Sequence, residues 1–384
     1  MGNYAQMKGV KELHYLLISN HAEMLLRYRG AVIEALLREN TVTVCVPEQS
    51  EELEKMGCRV VTAPVDRRGI DPIKDMKLYF NYRRILKELS PDAVITYSIK
   101  PNVYGGYAAK TLGIPYFAHV QGLGSAFYKP VLKTVAAVMY KIALKRARGV
   151  FFENEGDAGY FVKKRIVPLR SVITVKAGAG VPIKDFPLCP LPKGSATRFL
   201  FVGRVMKEKG VDELFSAARK LKNELGDAVS FAVAGGFEES YSEIVKELSD
   251  EGVIEYLGFV KDVAALYRDC HAVVLPSYHE GLSNVLIEGA ATGRALITTS
   301  VHGCLETVTD ESGILVPPSD ADALHFALRS FHGFSYEEKR AMGLSGRAHV
   351  EKSFDRADVV TFTLNALRER LDGQGHKTHK KRRD

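Results

Sequence analysis

The chain has 384 residues, 46% hydrophobic and 26% charged, with 53 Lys and Arg against 46 Asp and Glu and a formal net charge of +7. That length suits two domains of about 150–200 residues and excludes a single small one, while the composition excludes a disordered or fibrous chain. Five scattered cysteines without a Cys-x-x-Cys pair exclude a disulfide framework, and no apolar run approaches the roughly 20 residues that span a bilayer.

Taken in chain order, apolar β-branched runs alternate with amphipathic stretches. Residues 14–18 read as a buried strand, followed by a helix over 23–38, strands over 42–46 and 60–65, and a helix over 73–89. A strand at 93–97 and a helix at 103–112 come next. Strands at 115–120 and 150–152 flank a helix over 131–146, and a strand at 172–175 closes the first half. Pro187, Pro190, Pro192 and Gly194 then mark a linker, because proline cannot donate to a ladder. Beyond it the alternation restarts, with strands at 199–202, 230–234, 254–257, 272–275, 296–299 and 314–316. Helices are expected over 211–224, 240–249, about 284–292 and 355–371. Continuous apolar strands joined by helices mean parallel sheet covered on both faces. The expected architecture is therefore α/β, with two Rossmann-like doubly wound parallel-sheet domains. Their boundaries are 1–186, a linker over 187–197, and 198–353. A helix over 354–372 and a basic tail over 373–384 follow. Ligands of such sheets bind at the carboxyl ends of the strands.

Two strand-end loops carry the chemistry. The first, Gly203 to Gly210, leaves a buried strand and enters a helix. Arg204 and Lys209 there are cations beside helix N–H groups, a setting for a diphosphate. The second runs from Ser277 through Glu280, Gly281 and Leu282 to Ser283, which reads as the N-cap of a helix containing Asn284, Val285 and Glu288. A carboxylate accepts two sugar hydroxyls at once, so Glu280 and Glu288 can hold a sugar and a ribose on either side of a diphosphate. The carboxylates do not cluster as metal ligands would, so no metal is expected and no cofactor besides the nucleotide-sugar donor.

The Gly203-Arg204 and Lys209-Gly210 loop, together with the Glu280-x7-Glu288 spacing, resembles glycosyltransferase family 4 over nearly the whole chain. The resemblance implies the GT-B fold, with the two domains facing a central cleft and the last helix crossing back to the first domain. It also implies transfer of a sugar from a nucleotide donor with retention of configuration. By the same resemblance Arg204 and Lys209 hold the diphosphate, Glu280 contacts the transferred sugar and Glu288 contacts the ribose. Uridine is the expected nucleotide.

In the first half, the segments around Asn20 and His21, Lys100, and His119 to Gly122 follow predicted strands. They resemble the bacterial branch that adds a hexose or N-acetylhexosamine to a polyprenyl-diphosphate-linked saccharide for capsule or O-antigen. Many family members have a histidine directly before the glycine that ends the fifth strand. Here Gln121 precedes Gly122, and His119 lies two positions earlier on the same strand face. His119 is therefore either one layer beneath the reaction centre or a core histidine. The basic segment 129–148 reads either as a covering helix or as a contact for an anionic lipid acceptor at the inner face of the cytoplasmic membrane. The tail from His376 onward, with five Lys or Arg, reads either as a solvated terminus or as an anion contact. Nucleic acid is not an expected partner, since the basic clusters lack interleaved aromatics. Two other functions share this architecture, a UDP-sugar epimerase and a transferase acting on a soluble acceptor.

Overall fold

The computed structural model of the protein describes residues 11–66, 71–123, 130–194 and 196–372. The basic tail, Lys129 and the segment just after Leu123 lie outside the described residues. The chain divides into two compact units. The first contains Met1–Phe152, Ala158–Thr174 and Val360–Asp384, and the second Glu153–Asp157 and Val175–Val359.

The first unit carries β1 (His14–Ile18), β2 (Thr41–Val46), β3 (Arg59–Thr62), β4 (Ala93–Tyr97), β5 (Tyr116–Val120), β6 (Gly149–Phe152) and β7 (Val172–Thr174). They form one parallel sheet in the order β3-β2-β1-β4-β5-β6-β7. The second carries β8 (Thr197–Val202), β9 (Val229–Ala234), β10 (Glu255–Gly258), β11 (Ala272–Leu275), β12 (Ala295–Thr299) and β13 (Gly313–Val316), parallel in the order β10-β9-β8-β11-β12-β13. Both sheets reverse their winding once, between β1 and β4 and between β8 and β11. Those points are where the loops at the carboxyl ends diverge to leave a crevice.

The connecting helices are α1 (Ala22–Leu37), α2 (Glu51–Lys55), α3 (Pro72–Leu89), α4 (Gly106–Leu112), α5 (Pro130–Leu144), α6 (Glu155–Lys163), α7 (Val211–Leu225), α8 (Ser242–Asp250), α9 (Ala264–Arg268), α10 (Asn284–Ala291), α11 (Ala321–Gly333), α12 (Tyr336–Ser353) and α13 (Arg356–Asp372). The sequence reading lacks α2, α6, α9, α11 and α12. Two of these have strong caps. Asp320 accepts from the Ala323 N–H, and Ser335 and Glu338 form a capping box. Each sheet is buried on both faces. Phe199 stacks on Phe231 at 5.1 Å in the second core, and Phe152 meets Phe161 edge-on at 5.1 Å in the first.

The division between the units falls after Thr174 rather than after Phe186. The reason is packing: Val181 and Phe186 are buried in the second core, and the Val181 N–H donates to the Phe354 carbonyl at 2.8 Å. The proline-rich segment likewise belongs to the second unit. Fully buried Arg294 donates to the carbonyls of Cys189 (3.1 Å), Pro190 (2.9 Å) and Tyr267 (2.6 Å), supplying the donors that prolines cannot. The last helix, α13, belongs to the second unit up to Val359 and to the first from Val360. Beyond Val360, Arg368 pairs with Glu39 at 2.7 Å.

Candidate functional site

In the second unit β8 and β11 are hydrogen-bonded neighbours, with Ala272 opposite Phe199 and Val273 opposite Leu200. Their carboxyl-end loops therefore emerge side by side. The Tyr278 N–H donates to the Glu208 carbonyl at 2.9 Å, stitching one loop to the other. Gly210 is the point of closest approach. Its φ is +70°, and a Cβ there would fall 2.0 Å from the Pro276 carbonyl oxygen, so only glycine fits.

That approach brings the Lys209 ammonium onto the Glu280 carboxylate, both largely buried. Ser277 Oγ donates to the same Glu280 oxygen at 2.8 Å, and the Ser277 carbonyl is held by Thr299 Oγ1 at 2.5 Å. Burial alone would raise the Glu280 carboxyl. The Lys209 charge and the hydrogen bonds from Lys209 and Ser277 outweigh it and hold the group below its ordinary value. Burial pushes the neighbouring His279 down, and Lys209 and Arg204 lower it further against the pull of Glu280 and Glu208. Arg204 is thus close enough to act electrostatically on this loop. Its guanidinium is more than half exposed and lies 3.5 Å from Glu238, at the carboxyl end of β9.

Gly203 leads into this loop, and Gly281, Leu282 and Ser283 are buried beneath the pair. Ser283 caps α10 by accepting from the Leu286 N–H, and Asn284 and Val285 form the partly open first turn. Glu288 is placed otherwise. It is 3% exposed, and its Oε2 accepts from the hydroxyl of buried Tyr267 at 3.0 Å. The structure thus joins Lys209 and Glu280, sets Arg204 on the neighbouring loop beside Glu238, and holds Glu288 within the packed side of α10. Two residues the sequence reading missed belong here, namely Glu238 and Asn154, and Ser277, named there only as the start of its loop, holds the carboxylate. Glu238 follows Gly235 and Gly236 after a buried strand, a signal available in the sequence.

In the first unit, His21 is the N-cap residue of α1 with Asn20 before it. The Lys100 ammonium is committed to the buried Asp75 carboxylate at 2.6 Å, which also accepts from Tyr104 at 2.9 Å. His119 is a core histidine. Its ring stacks on Phe151 at 4.3 Å and on Tyr97 at 4.7 Å, and burial followed by the Arg29 charge pushes it well below the usual imidazole range. Gln121 and Gly122 are partly exposed at the end of β5, with Gly122 at φ +114°. Among the described residues, no three His, Cys, Asp or Glu side chains gather as a metal ion would require.

The Glu280 arrangement has a pH signature. A carboxyl lowered on folding adds stability above its unfolded value of about 4.3, and that stability is lost as pH falls through the folded value. In Lys209→Met, burial acts unopposed by the ammonium, so the Glu280 carboxyl titrates above its ordinary value. Carbon-13 NMR of the side-chain carboxyl reads this directly; an unchanged titration midpoint would contradict the pairing.

Comparison with known proteins matches both halves of the chain. A family model described as glycosyl transferases group 1 matches residues 196–332, and one described as a glycosyl transferase 4-like domain matches residues 26–178. The N,N'-diacetylbacillosaminyl-diphospho-undecaprenol alpha-1,3-N-acetylgalactosaminyltransferase of Campylobacter jejuni is 29% identical over 76% of this chain and 82% of its own. The capsular polysaccharide biosynthesis glycosyltransferase CapM of Staphylococcus aureus is 24% identical over 94% of this chain and 97% of its own. In fold, the chain resembles Anabaena HepE, solved in complex with UDP and glucose, with a TM-score of 0.76 at 16% identity over 93% of this chain and 99% of that one. With both halves matched and both parallel sheets in place, the chain is a glycosyltransferase of the GT-B fold and belongs to glycosyltransferase family 4.

Proposed function

We propose that the protein transfers a hexosyl or N-acetylhexosaminyl group from a UDP-sugar to a polyprenyl-diphosphate-linked saccharide, with retention of configuration, in the assembly of a cell-surface polysaccharide. The observation that carries this reading is the ion pair of Lys209 and Glu280 at the β8–β11 switch point, with Arg204 on the same β8 loop. On this reading the two cations hold the donor diphosphate and the carboxylate accepts from sugar hydroxyls. The acceptor class is supported by the Campylobacter jejuni relative, whose name specifies a diphospho-undecaprenol-linked acceptor.

On this reading the acceptor hydroxyl attacks the anomeric carbon on the face from which UDP departs. The bonding pair of the breaking C–O bond goes to the UDP oxygen, and a departing phosphate oxygen takes the acceptor's proton. The protein's work is orientation and stabilisation of the diphosphate charge. Arg204 and Lys209 neutralise that charge, so the reaction proceeds without a metal ion. Glu280 grips the transferred sugar. Glu288 is assigned to the ribose by resemblance alone, and reaching it requires exchange of the Tyr267 hydrogen bond. Asn20, His21, Gln121 and Gly122, at the strand ends of the first unit, are assigned to the acceptor, with Lys100 held beside them by Asp75.

The purified chain is expected to transfer N-acetylgalactosamine from its UDP donor to a polyprenyl-diphosphate-linked saccharide in the presence of EDTA. Glu280→Ala abolishes transfer without unfolding, and Arg204→Ala raises the barrier by about 2–4 kcal/mol. A wild-type chain that is neither stabilised by UDP-sugars in thermal melts nor active with any of them would overturn the reading.

The reading extends to a peripheral contact with an anionic membrane surface. From Ala93 to Phe152 the sequence has no Asp or Glu, against eight Lys and Arg. Within that stretch α5 turns Val135, Val138 and Ile142 outward, each about half exposed, beside exposed Lys141, Lys145 and Arg146. On α3, Ile73, Met76 and Phe80 form a second exposed apolar stripe at one-face spacing. Tyr79 of α3 meets Tyr107 of α4 at 5.4 Å, and Lys110 of α4 donates to the Ile142 carbonyl at 2.6 Å, so the stripes belong to one continuous surface. Basic residues around apolar ones suit an interfacial site on anionic lipid. Co-sedimentation with phosphatidylglycerol vesicles is expected for the wild type and lost in a Val138→Glu, Ile142→Glu double variant. Equal sedimentation of the two would remove this part of the account.

A further inference from the structure

The Glu280 loop has a partner that lies 126 residues away in sequence. Asn154 belongs to Glu153–Asp157, a short stretch that packs with the second unit although the chain on both sides of it belongs to the first. Its side chain is 2% exposed and works at both ends. Nδ2 donates to the Gly281 carbonyl at 2.8 Å, to the Asp157 carboxylate at 3.2 Å and, at longer range, to the Glu280 carbonyl at 3.5 Å. Oδ1 accepts from the Asp157 N–H at 2.7 Å, the bond that caps the first turn of α6. The orientation of the amide is fixed by its neighbours. The donor end must face carbonyl oxygens and the acceptor end must face an N–H, so the flipped amide would satisfy neither.

The Glu280 residue itself is approached closely by Gly303, at φ +85°. A Cβ there would lie 2.6 Å from the Glu280 carbonyl oxygen and 2.7 Å from the Glu280 Cβ. Below, Ser277 and Thr299 hold the carboxylate's other support. The backbone from Glu280 to Leu282 is thus held by a glycine that permits close approach at the Glu280 carbonyl and by an amide that donates chiefly to the Gly281 carbonyl. A buried carbonyl left without its donor costs free energy, so loss of the amide displaces the peptide rather than leaving it in place.

We infer that Asn154 is a positioning residue for the donor sugar: its carboxamide fixes the Gly281 carbonyl and, more weakly, that of Glu280, and with this backbone the direction of the Glu280 carboxylate. The inference rests on the reading that Glu280 holds the transferred sugar. Asn154 touches no reacting atom. It acts through Glu280, and a displacement of about 1 Å at such a group lowers turnover on the order of 100-fold.

Asparagine's two roles separate by substitution. Asn154→Asp keeps the capping oxygen for the Asp157 N–H but replaces the donor with a carboxyl group facing the Gly281 carbonyl and the Asp157 carboxylate. The expected variant melts within a few degrees of the wild type and binds UDP with wild-type affinity. It transfers N-acetylgalactosamine from UDP-N-acetylgalactosamine at least about tenfold more slowly, with the loss in kcat. Transfer within twofold of the wild type would overturn the inference. So would a parallel fall in UDP affinity, which would make Asn154 a general packing residue of the unit. Should the aspartate variant melt early, Asn154→Ser retains a capping oxygen without an amide donor and carries the same readout. A wild-type chain inactive with UDP-sugars would instead refute the donor reading itself, an outcome distinct from either of these.

Discussion

The donor site depends on one arrangement, the ion pair between Lys209 and Glu280 across two loops that leave adjacent strands. The sheet order makes it unavoidable. Because β8 and β11 are neighbours where the winding reverses, the loops that follow them share a rim. Gly210 then lets the backbones come close enough for the two side chains to meet. A larger residue at that position would hold the loops apart and leave each charge to water.

The same pair explains how a buried carboxylate stays charged. Desolvation opposes ionisation of Glu280, and Lys209 and Ser277 more than reverse that tendency. The carboxylate is thereby kept as an acceptor for hydroxyl groups. Lys209 supplies the balancing charge in the absence of ligand. On the proposed reading, the ammonium and the exposed Arg204 guanidinium would meet an anionic diphosphate from positions they already hold. Preorganisation of this kind is what electrostatic catalysis requires.

Much of this was legible in the sequence. Alternating apolar strands and helices give two parallel sheets, and the strand-end position of Arg204, Lys209 and Glu280 marks them as ligand-facing. What was not legible depends on contacts remote in the chain. Asn154 reaches Gly281 only through the folded second unit, and no local pattern announces it. Glu288 reads in the sequence as a ribose contact, whereas the phase of α10 turns it toward Tyr267. The extent of each unit was also misjudged, because prolines at 187–192 read as a linker, whereas Arg294 ties their carbonyls into the second core. Helices α11 and α12 are a different case, since their capping residues Asp320, Ser335 and Glu338 were visible all along.

The most direct test of the account is calorimetry of UDP and of UDP-N-acetylgalactosamine on Lys209→Met, Glu280→Gln and the double variant. If one ligand bridges the two charges, Lys209→Met weakens both ligands. Glu280→Gln leaves UDP affinity near the wild type and removes the increment contributed by the sugar. Because the two side chains touch, the double variant departs from the sum of the single effects. Wild-type affinities for both ligands in both single variants would place the donor elsewhere and contradict the account.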